Sequence, residues 1–262
     1  MAILTMDQLT AAMERRSEFD ILKSTVTTYG VGAAHSLWQV PGTPGPGATP
    51  ASGAGTIPTS ASAGSLKYTA PAGGRTNYLA RLNVSNDAQG RFSIGDRLWG
   101  NSGLSFTGGV QAFTSTPLTR SVTRGGLLYL EVYTGAATGA GSVTATYTNQ
   151  DGTGSRTATF TIPGDAVTGQ LIAAELQSGD TTVRSVEGIA STTGLLAAGD
   201  FGLTLFNRIA SAGMLLGNPA DRNAIDLGLP PIEAGACLTA IISACSGVAS
   251  GTLTADGLIV QG

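Results

Sequence analysis

The sequence predicts an all-β chain: an antiparallel β-sandwich or jelly-roll-like domain with a short N-terminal helix and an extended Pro/Gly-rich arm. Three observations carry that expectation. Runs of alternating apolar and Thr/Ser residues recur along most of the chain, as half-buried strands require. Gly-rich turns separate the runs, and the 38 Gly in 262 residues are about twice the usual share of ~7%. No strand–helix–strand alternation and no fixed-period repeat is visible.

The first element reads as a helix. Thr5 followed by Gln8 has capping-box spacing, and Asp7 falls in the first turn, where the helix dipole favours a carboxylate. Met6, Leu9 and Met13 recur at helical spacing and form one apolar stripe. Arg15 and Arg16 are expected near the C-terminal end of the helix. The stripe either packs on its own β-domain or docks on a neighbouring subunit. A β-favouring region follows over 21–40 and includes Thr25 to Tyr29. Residues 41–64, PGTPGPGATPASGAGTIPTSASAG, cannot form a helix or a central strand. They are expected as an arm, either mobile or laid against a partner. The division expected is therefore 1–65 for helix, strand and arm, and 66–262 for the sandwich.

Strands are expected over 78–84, 127–133, 142–148, 156–162, 182–190, 201–210, 238–243 and 251–260. The strongest hairpin signal joins Ser142–Thr148 to Arg156–Ile162 through the Gly-rich turn 149–155.

Composition narrows the function classes. Hydrophobic residues make up 42%, enough for a core, but charged residues make up only 12%, about half the usual share of roughly 25%. A soluble monomer usually keeps a charged surface. So few charges imply that surface is covered by other protein, or clothed in Thr, Ser and Gly. The net charge of −3 and 14 basic residues without a basic block argue against a phosphate-neutralising nucleic-acid site. Neither a signal peptide nor a run long enough to cross a membrane is visible.

No catalytic or cofactor motif emerges. His35 is the single histidine, so a Ser-His-Asp triad would have to use it and a histidine metal site is hard to build. Its bland reading is a packed strand histidine. Cys237 and Cys245 read as small buried hydrophobes, with a disulfide as the alternative. The carboxylates Asp87, Asp96, Glu131, Glu175, Asp180 and Glu187 are scattered, and nothing selects a glycosidase pair. No phosphate-binding Gly-rich loop is present. The densest cluster is Asp96-Arg97-Leu98-Trp99, which either fixes an interface or is a core Trp beside a solvated ion pair. Arg184 and Glu187 could pair across a strand end. No catalytic, cofactor or metal residue is assigned. The candidate interface residues are Met6, Leu9, Met13, Trp38, Asp96, Arg97 and Trp99.

Several blocks resemble a recurrent family of tailed-bacteriophage virion proteins. They are His35-Ser36-Leu37-Trp38 before the Pro/Gly arm, Asn77-Tyr78-Leu79-Ala80-Arg81-Leu82, and Gly95 to Gly103. Thr146 to Asn149 with Gly154 to Thr157, Leu176 to Asp180 with Val183 to Val186, and Leu227-Gly228-Leu229-Pro230 fit the same pattern. The resemblance covers roughly residues 35–230 and implies a non-enzymatic virion component with no catalytic residues to carry over. Within that class the leading expectation is a head protein, either a decoration (cement) protein or a shell subunit. Such a protein would be made in the host cytoplasm and would contact the major capsid protein or other virion proteins. A homo-oligomer is expected, by analogy a trimer. A neck or tail component and a sugar-binding β-sandwich are the competing readings, the second weakened by an aromatic content of 6%.

Overall fold

The computed structural model describes residues 3–24, 32–87, 89–135, 139–194, 199–215, 218–244 and 252–262. The chain begins with α1 (Met6–Met13), β1 (Arg16–Ser24), β2 (Ala34–Ser36) and β3 (Gly42–Thr43). Next come β4 (Asn77–Ser85), β5 (Gly90–Gly100), β6 (Leu104–Ser105), β7 (Gln111–Ala112), β8 (Leu127–Thr134), β9 (Gly141–Asn149) and β10 (Arg156–Ile162). Then follow β11 (Gln170–Ala173), β12 (Glu175–Leu176), β13 (Val183–Thr193), β14 (Asp200–Met214) and β15 (Ala220–Arg222). The remaining elements are α2 (Ala224–Leu227), β16 (Pro231–Ile232), β17 (Leu238–Ser243) and β18 (Thr252–Gln261).

The all-β class, the antiparallel pairing and the N-terminal helix are as expected; the jelly-roll ordering is met only loosely. The strands form three layers. In the first sheet the order is β15-β4-β18-β1-β3, with β16 also on β4. In the second the order is β5-β17-β2-β11-β8-β14, and β14 pairs back onto β5, so the sheet closes into a barrel with β6 appended. In the third the order is β12-β10-β9-β13-β7.

The barrel lies between the other two layers, and each of its outer faces builds a core. On one side Phe92 and Ile94 of β5 and Leu238, Ala240 and Ile242 of β17 meet Phe19, Ile21, Leu82, Val84 and Ile259 of the first sheet. On the other, Leu128, Leu130 and Val132 of β8 and Phe201, Leu203 and Leu205 of β14 meet Val143, Tyr147, Phe160, Ile162 and Val186 of the third. Each such Leu or Phe contributes about 1.5–3 kcal/mol when fully withdrawn from water. The residues between them on the barrel strands point into the lumen, because side chains alternate along a strand. One end of the lumen is apolar, with Leu171, Phe206 and Ile241 packed by Ala34 and Tyr129. Phe206 crosses it because residue 95 is Gly; a Cβ there would overlap its ring.

The expected hairpin is present, with Arg156 opposite Tyr147 and Ile162 opposite Gly141. Two expectations about the N-terminal region need correction. The boundary at 65 does not separate two sheets, since β1 pairs with β18 from Arg16–Val260 to Ser24–Thr252. The arm is stitched to its own chain. Backbone bonds join Thr56 to Gly100 in both directions, at 2.8 and 3.0 Å, and Gly47 N–H donates to the Trp38 carbonyl at 2.7 Å. Side chains complete the attachment: Ser102 Oγ donates to the Pro50 carbonyl at 2.6 Å and Asn101 Nδ2 to the Gly53 carbonyl at 3.1 Å. The physical reason is that the arm satisfies polar groups at the ends of β5 that would otherwise be buried and unbonded. The expected strand over Thr25 to Tyr29, and Cys245 with its disulfide alternative, lie outside the described residues. Cys237 is buried.

Candidate assembly surfaces and the buried polar network

Four of the seven interface candidates lie inside the chain. Trp99 is fully buried, and its indole N–H donates to the Ala54 carbonyl of the arm at 2.8 Å. Trp38 is buried likewise and donates to the Ala48 carbonyl at 2.8 Å. Asp96 and Arg97 do not pair with each other, and neither is solvated, because neighbours on a strand point to opposite faces.

Arg97 enters the barrel lumen. Its guanidinium lies 2.7 Å from Glu131 of β8 and also donates to Tyr133 Oη and Thr204 Oγ1, both at 3.0 Å. It sits 5.0 Å from the Trp38 ring centroid, within cation–π range. Glu131 in turn accepts from Thr204 Oγ1 at 2.7 Å and from Tyr133 Oη at 3.0 Å. Burial pushes the Glu131 carboxyl upward, but Arg97 and the hydroxyl donors outweigh it and hold it below the usual carboxylate range.

Asp96 faces out of the barrel and takes a two-point grip from Arg120, at 2.7 and 2.9 Å, plus the Cys237 N–H at 2.8 Å. Burial pushes its pKa up and these donors oppose it. The fork geometry is that of an ionised carboxylate on a guanidinium. Arg120 also donates to the Pro58 carbonyl at 2.8 Å, so this pair fastens the arm to β5.

Other polar groups serve the fold in similar ways. Asp180 gathers Arg156, Tyr147 Oη and Asn149 Nδ2 at 2.8, 2.6 and 2.8 Å. These donors, Arg156 first, hold its carboxyl down at about 2, and they lock the hairpin end. Glu187 accepts from Thr148 Oγ1 at 2.7 Å and from the Ser155 N–H. The pair expected between Arg184 and Glu187 is not among the ion pairs of the described residues. His35 is buried on β2, and burial lowers its pKa to about 4. No group of three or more His, Cys, Asp or Glu positioned for a metal occurs among the described residues. Among the described residues no helix is long and apolar enough to cross a membrane.

Two surfaces remain. The first surrounds α1. Its capping box forms as the sequence predicts, with Thr5 Oγ1 on the Gln8 N–H and the Gln8 side chain on the Thr5 N–H. The apolar stripe is then split. Leu9 packs with buried Ala12 against Ala80 and Val260 of the first sheet, Met6 is 66% exposed and Met13 37% exposed. Leu4 and Ile225, 82% and 81% exposed, line with Met6 and Leu229 a shallow apolar cleft between α1 and α2. The helix ends at Met13 with Glu14 as its cap, so Arg15 and Arg16 follow just past its C-terminal end, near where the sequence placed them, and Arg16 already opens β1.

The second surface is the outer face of the third sheet, which sequence reasoning did not single out. Val143, Ala145, Tyr147, Ala158, Phe160 and Ile162 are buried beneath it, so their neighbours point outward. These are Ser142, Thr144 and Thr146 of β9 and Thr157, Thr159 and Thr161 of β10, joined by Ser191 and Thr193 of β13. They stand in register: Thr146 opposite Thr157, Thr144 between Thr159 and Ser191, and Ser142 between Thr161 and Thr193. Ser142 and Thr193 share a hydrogen bond of 2.8 Å. No charged residue stands among these eight, but two carboxylates border them on the same face: Glu187 at the end near the hairpin turn, and exposed Glu175 of β12 directly opposite Thr159. The signal available in the sequence was the alternation Thr144-x-Thr146 and Thr157-x-Thr159-x-Thr161.

No protein-family model matches the chain, and no curated protein does. Among solved structures, the chain is similar at 11% identity to one described as infectious bursal disease virus Gt strain. That overlay covers 95% of this chain and 82% of the other, with a TM-score of 0.17. A structure of the Gx strain gives 10% identity, coverages of 94% and 79%, and a TM-score of 0.18. The VP2 subviral particle of the same virus gives 11%, 95% and 81%, and 0.17. Likeness at these scores carries no argument.

Proposed function

We propose that this chain is a non-enzymatic structural protein of a tailed-phage virion. In this reading it is a head component, a decoration protein or shell subunit, that works by packing against copies of itself and against other virion proteins. The observation that carries the reading is the Thr/Ser-rich patch on the third sheet, eight hydroxyl residues in register with charge only at its borders, Glu175 and Glu187. A solvated sheet face normally carries mixed charges; this one offers hydroxyls, which both donate and accept hydrogen bonds. The hydroxyl patch between Glu175 and Glu187 can be covered by protein without burying an unpaired charge. The family resemblance of the sequence supports the same class.

The size of the face points to a contact made within a larger assembly. Three strands, taken over about seven residues each, span about 23 by 15 Å, or roughly 350 Å². A stable isolated pair needs about 800 Å² per partner. The α1–α2 cleft supplies a second, apolar contact. Three-fold symmetry and the major capsid protein as partner are parts of the same proposal. Trp38 and Trp99 are buried in the fold and are not offered as a sugar-stacking platform.

The test is a double substitution, Thr144→Lys with Thr159→Lys. Both side chains point away from the core, so the melting temperature should hold. Incorporation into particles, read by sedimentation and electron microscopy, should drop. Normal incorporation of a normally folded variant would overturn the proposal.

A further inference from the structure

We infer that Asp96 and Arg97, adjacent and opposite in charge, act as a register lock on β5, selecting one alignment of the strand that closes the barrel. The need for a lock follows from the strand itself. β5 is buried on both faces: Phe92, Ile94 and Leu98 face the two outer cores, and Arg97 faces the lumen. A slip of one residue moves every side chain to the opposite face. Where one face is wet, such a slip exposes apolar surface and is opposed. On β5 it would exchange one buried face for another. Pairing with β14 is also interrupted, with register shifts between Leu205 and Phe206 and between Arg208 and Ala210. The ladder with β17 is unbroken from Leu238–Asp96 to Ser243–Arg91, but backbone bonds can form in a shifted register too, and hydrophobic patterning does not choose between two buried faces.

The charges do. In the observed register Asp96 meets Arg120 outside the barrel and Arg97 meets Glu131 within it. A slip in one direction carries Asp96 into the lumen against Glu131 and leaves Arg120 without a carboxylate. A slip in the other direction carries Arg97 against Arg120 and leaves Glu131 without a cation. Each alternative places like charges together in a buried site, where unpaired charge is most costly. Gly95 adds a steric component. Either slip brings the side chain of Ile94 or Asp96 to the position now occupied by Gly95, where it would overlap the Phe206 ring. The alternatives are thus excluded by repulsion and overlap, as well as being poorer in attraction.

Two variants test the lock, read by hydrogen exchange and cross-strand amide contacts of β5. Exchanging the two residues, Asp96→Arg with Arg97→Asp, alters no composition. It should abolish the native pairings of Gly95 with Thr239 and of residue 96 with Leu238. Neutralising all four partners, Asp96→Asn, Arg97→Met, Arg120→Met and Glu131→Gln, removes the charge component of the lock without building repulsion and leaves the overlap at Gly95 in place. That variant should fold, with β5 amides exchanging at least about tenfold faster or giving more than one set of signals. Native pairing in the exchanged variant would overturn the inference. So would a neutral variant with a single register and parental protection, or one that does not fold, since the pairs would then supply stability alone.

Discussion

Arg97→Met removes the cation from the barrel lumen and leaves Glu131, fully buried, with hydroxyl donors only. Breaking one partner out of a buried ion pair costs about 3–5 kcal/mol, a large share of the roughly 5–15 kcal/mol that holds a domain together. With a urea m-value of about 3 kcal/mol/M, the midpoint should fall by roughly 1–1.7 M. The pH dependence should also change sign. In the parent, Glu131 is held below its unfolded value, so its contribution is present above that value and is lost as pH falls. Without Arg97, burial prevails and raises the folded pKa. The contribution is then present below the unfolded value and is lost as pH rises through the folded one. The deficit of Arg97→Met should therefore shrink on acidification from pH 7 to pH 5. Urea titrations of both proteins at the two pH values measure this. A variant within about 1 kcal/mol of the parent, or a deficit that grows on acidification, would refute the assignment of Arg97 as the lumen's counter-charge.

Further outcomes follow from the same contacts. Trp99→Ala should cost about 3–5 kcal/mol, read as a lower urea midpoint, because the indole is fully buried and tethers the arm through Ala54; an unchanged midpoint would contradict that placement. Thr5→Ala should fray α1 at a cost of about 1 kcal/mol, visible as faster amide exchange over residues 6–9 with the barrel unaffected. Asp180 is held at about 2 by Arg156, Tyr147 and Asn149. Its folded pKa is thus depressed, and its contribution is present above about pH 4 and lost as pH falls towards 2. A melting-temperature profile of Asp180→Asn should be flatter than the parent's across that interval.

Elements that present one face to water were legible in the sequence. The hairpin of β9 and β10 alternates Val143, Ala145 and Tyr147 with Ser142, Thr144 and Thr146, and its turn is marked by Gly152 and Gly154. The helix announced itself through Thr5 and Gln8. β5 did not, because a strand buried on both sides loses its alternation, and the charges at 96 and 97 read as surface. Their true partners, Arg120 and Glu131, lie 24 and 34 residues away, beyond any local pattern. The arm was misread for a related reason: its backbone is fixed by the ends of distant strands and by Trp38 and Trp99. The Thr/Ser face was written in the alternation, but its extent as a surface emerged only once β9, β10 and β13 were set side by side.

The account rests on that face being covered in the assembled state. Thr144→Cys places a thiol at its centre, and maleimide labelling of free protein and of particles measures its exposure. The account predicts rapid labelling of the free chain and protection in the particle. Equal labelling of both would contradict it.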